Sequence, residues 1–155
     1  MTIYDILDEL KISYEEISHE AVFTVEEANA IEQQIKGLGC KNLFLTNKKG
    51  KYYIYVLEDS KQANLKELQS FLNEKRLSFG KEEELNEILN LTKGSVTPLG
   101  IINDKDNLVT VLLDKDLIDK RILAHPNVNT KTVSLEYQDL IKIIEYTNHN
   151  YIIIE

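Results

Sequence analysis

The chain has 155 residues, a length that predicts one domain over residues 1–155 with a substantial buried core. Its formal net charge of −8 disfavours a DNA-binding protein, and its single cysteine excludes an internal disulfide framework. Neither a basic leader followed by an apolar run nor an apolar stretch of membrane-spanning length is present. We therefore expect a cytoplasmic protein that has no membrane partner.

Two capped helices and a short strand are predicted at the beginning of the chain. Thr2 precedes apolar residues at helical spacing and can cap their helix. A short strand is expected at residues 14–18. Thr24 and Glu27 have the spacing of a capping box, in which hydroxyl and carboxylate each bond a free backbone N–H. A second helix is therefore expected up to about residue 34.

The middle of the chain predicts a hairpin followed by two helices. Residues 42–46 and 52–57 have the character of strands, and residues 47–50 between them have that of a turn. Asn64 can cap the next helix, and another helix is expected over residues 82–89. The inward face of the helix after Asn64 is predicted to consist of Leu65, Leu68, Phe71 and Leu72.

The last third of the chain alternates strands with one helix. Apolar residues 99–102 and 108–113 predict a second hairpin around the polar residues between them. The elements expected after it are a strand at 132–135, a helix at 137–146 and a strand at 151–154. Because hairpins mixed with helices favour antiparallel or mixed sheets over repeated parallel crossovers, we predict an α+β fold.

The most informative segment is residues 94–100, which read Gly-Ser-Val-Thr-Pro-Leu-Gly. Glycine allows a backbone to approach a ligand closely, and proline fixes the turn that holds it there. A Gly-x-x-x-Pro stretch by itself is more often an ordinary turn. The segment therefore needs support from other parts of the chain before it indicates a binding loop.

Basic side chains gather in the acid-free segment between Glu32 and Glu58. They are Lys36, Lys41, Lys48, Lys49 and Lys51. Such a group can contact a few phosphates but not a long duplex. For the last three lysines the alternative is the solvated rim of a hairpin, whereas Lys41 stands at the beginning of an apolar run.

The usual signatures of hydrolase and nucleotide chemistry are absent from this sequence. No Gly-x-Ser-x-Gly elbow, phosphate-binding loop or dinucleotide fingerprint occurs. Lys41 could lower the pKa of the adjacent Cys40 thiol, but this pair alone is weak evidence for a nucleophile. The histidines lack metal-ligand spacing, so we expect neither a metal nor another cofactor.

Several segments together resemble a known family in their order and spacing. They are residues 19–28, 40–45, 94–100, 109–114 and 125–130. This combination resembles the YbaK/ProX family of aminoacyl-tRNA deacylases, which is related to the editing domain of bacterial prolyl-tRNA synthetases. The resemblance extends from about residue 19 to residue 139 and is greatest to the freestanding ProX branch.

The resemblance implies a fold and an activity. The fold would be a curved mixed, mostly antiparallel sheet, partly barrel-like, that is flanked by helices. The activity would be trans-editing hydrolysis of mischarged aminoacyl-tRNA, with alanine on proline tRNA as the expected substrate. Cysteine on proline tRNA is the alternative substrate, and a non-catalytic sensor of amino acids or charged tRNA is the alternative function. The implied partners are the 3′ acceptor end of the tRNA and prolyl-tRNA synthetase.

The resemblance also implies the site. Lys41 matches the family's functional lysine and would hold a phosphate or stabilise charge on the ester, whereas otherwise it is a solvated lysine. His125 matches the pocket histidine, which would enclose the amino-acid side chain or hydrogen-bond its carbonyl; the alternative is a surface turn. The expected substrate-binding residues are Phe23, Thr24, Asn42, Gly94, Ser95, Val96, Thr97 and Pro98. Phe23 is equally compatible with the core, Asn42 with a strand end, and His19 and His149 are expected to be structural.

Overall fold

The computed structural model describes residues 1–21 and 25–155, and both helices and strands are present. The α-helices are α1 (Ile3–Glu9), α2 (Val25–Glu32), α3 (Leu65–Phe71), α4 (Glu82–Leu89) and α5 (Tyr137–Tyr146). The strands are β1 (Glu15–Ser18), β2 (Cys40–Thr46), β3 (Tyr52–Glu58), β4 (Ser78–Phe79), β5 (Val109–Asp114), β6 (Arg121–Ala124), β7 (Lys131–Glu136) and β8 (Tyr151–Ile154). Short 3-10 helices span Lys93–Ser95, Pro98–Asn103 and Lys115–Leu117. In this part of the chain, no helix combines the length and the apolar character that crossing a bilayer requires.

Local capping signals predicted several helices correctly. Thr2 Oγ1 accepts a hydrogen bond from Asp5 N, and the Asp5 carboxylate accepts one from Thr2 N, which completes a capping box. Asn64 caps α3 through its side-chain oxygen. The predicted inward position of Phe71 is wrong, since this side chain is half exposed. The proposed capping residue Thr24 lies outside the described residues.

The strands of the described chain form two sheets rather than the single curved sheet that was expected. One is an antiparallel sheet with the order β1-β7-β6, and the other is a mixed sheet with the order β4-β2-β3-β5-β8. The β2–β3 hairpin is confirmed, whereas β5 pairs in parallel with both β3 and β8. The α+β class with mixed sheets and flanking helices is therefore confirmed.

The second predicted hairpin is wrong. Residues 98–103 form a 3-10 helix in which Leu99 and Ile101 are completely buried in the core, and no strand of the described residues pairs with them. Asp104 then ends this helix, and its carboxylate accepts the backbone N–H groups of Leu108 and Val109 at 3.1 and 2.8 Å. The chain thereby turns directly into β5. The parallel pairing of β5 with β3 and β8 joins segments that are distant in sequence.

A parallel bridge between Leu38 and Ile122 connects the two sheets. Leu38 N donates to Arg121 O at 2.7 Å, and Leu123 N donates to Leu38 O at 3.1 Å. Gly37 permits this contact: its φ is +154°, and a Cβ there would lie 2.6 Å from Leu123 Cδ2. The beginning of β2 is thus held beside the end of β6.

Two cores lie on opposite faces of the mixed sheet. Successive side chains of a strand point to opposite faces. On β3, Ile54 and Val56 accordingly join the larger core, which the antiparallel sheet and α1, α4 and α5 complete. Tyr53, Tyr55 and Leu57 join the smaller core, to which α3 contributes Leu68.

The segment before β5 is held in place by a buried pair, Asp104 and His149. Asp104 Oδ2 lies 2.9 Å from His149 Nε2, and both side chains are almost completely buried. Burial alone would raise the pKa of Asp104, but hydrogen bonds from His149 and two backbone N–H groups outweigh it and lower the pKa. Replacing this carboxylate by a methyl group would leave three donors unpaired.

We expect Asp104→Ala to lower the free energy of unfolding by about 3–5 kcal/mol at neutral pH, whereas the exposed neighbour Asp106→Ala should change it by less than about 0.5 kcal/mol. Because the folded pKa of Asp104 is lowered, its contribution is present above the unfolded pKa and is lost as the pH falls through the folded value. The difference in the free energy of unfolding between parent and Asp104→Ala should therefore become smaller below about pH 4. Urea unfolding curves at several pH values measure it, and equal midpoints at pH 7 would contradict the assigned role.

Candidate active site

A cavity of about 220 Å³ lies where the two sheets meet. Its walls come from the end of α2, the beginning of β2, the 3-10 turn at 93–95, the end of β6 and the beginning of β7. The lining residues are Ile31, Glu32, Gly39, Cys40, Lys41, Asn42, Lys93, Gly94, Val96, Leu123, Ala124, His125 and Thr132. The cavity therefore depends on the contact between the sheets rather than on any one element.

Five of the residues predicted for the site line this cavity together. They are Lys41, Asn42, Gly94, Val96 and His125. Phe23 and Thr24, which were also predicted, lie outside the described residues. Sequence reasoning overlooked the contributions of Glu32, Lys93 and Thr132. Of these, only Lys93 had a sequence signal, since it directly precedes the glycine of the predicted loop.

The remaining predicted loop residues support the loop and are not part of the cavity wall. Ser95 Oγ donates to Thr92 O at 3.2 Å, and Thr97 Oγ1 accepts from Leu99 N at 3.3 Å. Ser95, Thr97 and Pro98 are all buried. Their side chains hold the backbone on which Gly94 and Val96 face the cavity.

Lys41 brings an ammonium group to the cavity. It lies at the beginning of β2, opposite Leu57 of β3, and is partly exposed. Among the described residues no carboxylate forms an ion pair with it. Exposed Lys93 is a second cation of the same wall. The cavity can therefore receive an anionic group or stabilise negative charge that develops during a reaction.

Asn42 carries a polar atom that has no partner. Its Oδ1 is buried, and no hydrogen bond to it is found within the described part of the chain. A buried acceptor of this kind costs about 1–3 kcal/mol when it stays unsatisfied. Asn42 also lines the cavity, so a ligand hydroxyl or amine that reached this buried oxygen would remove the penalty.

His125 is oriented so that one ring nitrogen can accept a proton. Its Nδ1 lies 2.9 Å from Lys131 O, and a carbonyl can only accept, so Nδ1 carries the hydrogen. The neutral ring then has an unprotonated Nε2. Burial lowers the pKa of His125, and the nearby His19 adds to this shift. The neutral ring is therefore favoured near pH 7.

His19 lies closer to the site than its predicted structural role suggested. Its ring centroid is 6.3 Å from that of His125. Its Nε2 lies 2.8 Å from the hydroxyl of Thr132, a residue of the cavity wall, and its Nδ1 donates to Glu20 O at 2.7 Å. His19 thus supports the wall, whereas His149 is buried in its pair with Asp104.

Cys40 does not have the properties of a nucleophile. Burial, reinforced by the negative charges of Asp59, Glu32 and Glu58, raises the pKa of its thiol to about 12. The thiol is therefore protonated at neutral pH, and the thiolate that would attack an ester is not available. In the described part of the chain, no cluster of His, Cys, Asp and Glu side chains is placed to hold a metal ion.

Two carboxyl groups converge beside the cavity over the α-carbon of Gly39. A Cβ at this position would lie 1.7 Å from Glu32 Oε1 and 2.6 Å from Asp59 Oδ2. Burial, the hydrogen bond to Asp59 and the charges of Asp59 and Glu58 raise the pKa of Glu32 to about 7. The pair therefore shares a proton in part of the molecules at neutral pH.

Residues 19–143 match the family model for the aminoacyl-tRNA editing domain. The chain belongs to this family. It is 41% identical over 151 residues to the prolyl-tRNA editing protein ProX of Acetoanaerobium sticklandii, covering 96% of this chain and 92% of that protein. It is 35% identical over 155 residues to the prolyl-tRNA synthetase associated domain-containing protein 1 of Mus musculus, covering 96% and 90%.

The fold is also shared with solved structures. The crystal structure of hypothetical protein APE2540 matches with a TM-score of 0.75 at 14% identity, covering 96% of this chain and 95% of that one. The resemblance drawn from the sequence is therefore confirmed. The protein is an aminoacyl-tRNA deacylase, a hydrolase that edits mischarged tRNA.

We expect Glu32→Gln to change how stability depends on pH. The folded pKa of Glu32 is raised to about 7, so the folded protein holds the proton more tightly and loses stability as the pH rises from about 4.5 to 7. An amide can still donate to Asp59 and carries no charge, so the variant should unfold at a higher temperature above pH 7.

Thermal unfolding midpoints at pH 5, 6, 7 and 8 measure this effect. Glu145→Gln, which removes an exposed carboxylate of α5, is the matched control. Curves for parent and Glu32→Gln that run parallel over this range would show that the carboxyl pair does not share a proton.

Proposed function

We propose that this deacylase removes alanine from proline tRNA in trans and that Lys41 and His125 act directly on the ester. The observation that carries the proposal is that one small cavity is lined by Lys41, Asn42 and His125. Among the described residues Lys41 has no ion-pair partner and Asn42 Oδ1 has no hydrogen-bond partner, and the imidazole of His125 is neutral. The name of the relative ProX supports prolyl-tRNA editing as the process. We extend the proposal to the whole chain as one editing unit that works in the cytoplasm beside prolyl-tRNA synthetase.

The proposed reaction needs a positioned water rather than a protein nucleophile. His125 Nε2 accepts a proton from this water while the water oxygen attacks the ester carbonyl. Lys41 stabilises the negative charge that forms on the carbonyl oxygen. The bond from the carbonyl carbon to the ribose oxygen then breaks, the ribose oxygen takes up the proton that His125 had accepted, and the free amino acid leaves. Because Nδ1 donates to Lys131 O, the unprotonated Nε2 of His125 favours the role of a proton acceptor over the expected hydrogen bond to the carbonyl.

The backbone of the loop is the proposed second source of polarisation. Ser95 N already donates to Thr92 O at 3.0 Å and is therefore in use. Gly94 and Val96, on either side of it, line the cavity. We assign the polarising N–H groups to these two residues, and Asn42 Oδ1 to a hydroxyl or amine of the substrate.

The size of the cavity suits a single amino acid rather than a larger ligand. The cavity of about 220 Å³ lies below the roughly 300–1,000 Å³ that is typical of sites for drug-sized ligands. A synthetase pocket built for proline rejects smaller apolar side chains by only about 1–3 kcal/mol, so a second site that excludes proline by volume can correct the error.

Deacylation assays with alanyl-, cysteinyl-, seryl- and prolyl-tRNA for proline test the substrate. We expect alanine to be released most rapidly and proline at the rate in buffer alone. Faster release of cysteine would assign the alternative substrate. Binding of mischarged tRNA without any release above the rate in buffer would identify a sensor instead of an enzyme.

We expect Lys41→Ala to lose most hydrolysis of alanyl-tRNA because the carbonyl oxygen loses its cation, with a decrease in kcat of about 100-fold or more. A partly exposed lysine contributes little to stability, so the unfolding midpoint should change little. Lys49→Ala is the matched control, since it removes an exposed lysine of the β2–β3 turn that is not part of the cavity. Hydrolysis by Lys41→Ala at the parental rate would contradict the assignment.

We expect His125→Asn to separate the two roles of the histidine. An asparagine amide can still donate to Lys131 O but lacks the acceptor at Nε2, so kcat should fall by about 100- to 10,000-fold on every substrate. The parental rate should rise with pH through the lowered pKa of His125 and then level off, and this rise should be absent in the variant.

The smaller variant His125→Ala tests whether the ring also excludes proline. New hydrolysis of prolyl-tRNA by this variant would show a steric role, whereas slower turnover of all substrates would support proton transfer alone. Equal rates for parent, His125→Asn and His125→Ala would remove His125 from the site.

A further inference from the structure

A second cavity adjoins the first along the edge of the mixed sheet. Its volume is about 510 Å³, and it shares Asn42, Lys93 and Val96 with the first cavity. The two cavities are therefore neighbours along these three residues, and a ligand longer than an aminoacyl group would have to pass over them to occupy both.

An exposed aromatic ring stands at the far side of this second cavity. Phe79 is 58% exposed, although phenylalanine is normally buried, and it lines the cavity. It belongs to β4, where it pairs with Leu45 of β2, and Gly80 N donates to Phe44 O at 2.9 Å. The backbone that carries the ring is therefore fixed, and the ring itself is free to contact a ligand.

The charges around the second cavity suit a nucleotide on one side only. Exposed Lys93 lies on the boundary with the first cavity and can contact a phosphate. Glu82, at the beginning of α4, lines the second cavity but not the first, and it would repel a phosphate there. A bound nucleotide chain would thus pass along Lys93 with its base directed toward Phe79.

We propose that Phe79 is a stacking platform for a base at the 3′ end of the tRNA substrate and that the second cavity holds this nucleoside. This inference rests on the proposed function, because an aminoacyl ester in the first cavity is attached to the terminal ribose, which must lie in the adjoining space. An aromatic ring can stack on any base, so the contact supplies affinity for the end of the tRNA rather than selection of the amino acid.

Steady-state deacylation of alanyl-tRNA provides the first test. We expect Phe79→Ala to raise KM about 5- to 100-fold with little change in kcat, because stacking on one base is lost while the reacting groups stay in place. Phe79→Tyr should retain the parental KM. Phe71→Ala is the matched control, since Phe71 is also half exposed, lies on α3 and lines neither cavity.

A binding experiment separates this inference from the proposed function. The probe is the uncharged trinucleotide cytidine-cytidine-2-aminopurine riboside, whose fluorescence changes when its base stacks. We expect quenching with the parent, Phe79→Tyr and Phe71→Ala, and loss of quenching with Phe79→Ala. Absence of deacylation by the parent would overturn the proposed function, while quenching that depends on Phe79 would still support the platform.

Each of three results would overturn the platform. One is an equal KM and equal quenching for the parent and Phe79→Ala. Another is a loss of kcat in Phe79→Ala with unchanged KM and unchanged quenching, which would assign Phe79 a role in shaping the first cavity. A weaker complex of Phe79→Ala with prolyl-tRNA synthetase, together with unchanged trinucleotide binding, would make the ring part of a protein interface instead.

Discussion

The two backbone hydrogen bonds that join Leu38 to β6 are the contact on which the site depends. They form a parallel bridge to Ile122, so both chain segments continue in the same direction beyond it. Lys41 follows Leu38 by three residues, and His125 follows Ile122 by three. At about 3.3 Å per residue, both lie about 10 Å beyond the bridge and on the same side of it. A cation and a base from separate sheets are thereby brought to one cavity.

The electrostatic character of the cavity explains how a site of this kind can hydrolyse an ester without a nucleophilic side chain. The Cys40 thiol is protonated because burial and three carboxyl groups disfavour its charged form. The Glu32 carboxyl is partly protonated for related reasons. His125 keeps an unprotonated Nε2 because its other nitrogen donates to a carbonyl. An unpaired lysine beside a neutral base is therefore the combination that the fold offers to a water molecule and a carbonyl group.

Sequence patterns predicted those parts of the fold that depend on neighbouring residues. The caps at Thr2 and Asn64 and the bounds of α4 and α5 follow from local hydrogen bonds and helical periodicity, and the structure confirms them. The hairpin predicted for residues 99–102 and 108–113 is wrong because β5 pairs with β3 and β8, which are far away in the sequence. The sequence did not predict β6, the four-residue strand that directly precedes His125.

The site could be predicted only in part for the same reason. The roles of Lys41 and His125 are predicted from a family resemblance, because their local sequence gives little signal: Lys41 only precedes an apolar run, and His125 is equally compatible with a surface turn. Glu32 and Thr132 come from elements that only the folded chain places around one cavity. Ser95 and Thr97 are predicted to contact substrate because the whole segment 94–98 resembles the family's pocket loop. In the structure their hydroxyl groups instead bond to the backbone beneath it.

A crystal structure with alanine amide-linked to 3′-amino-3′-deoxyadenosine tests the central claim most directly, because this analogue keeps the shape of the substrate but resists hydrolysis. The account predicts the alanyl group in the cavity at the sheet junction, with its carbonyl oxygen within hydrogen-bonding distance of Lys41 Nζ and an ordered water beside His125 Nε2. An alanyl group that lies outside this cavity, or that turns its carbonyl away from both residues, would contradict it.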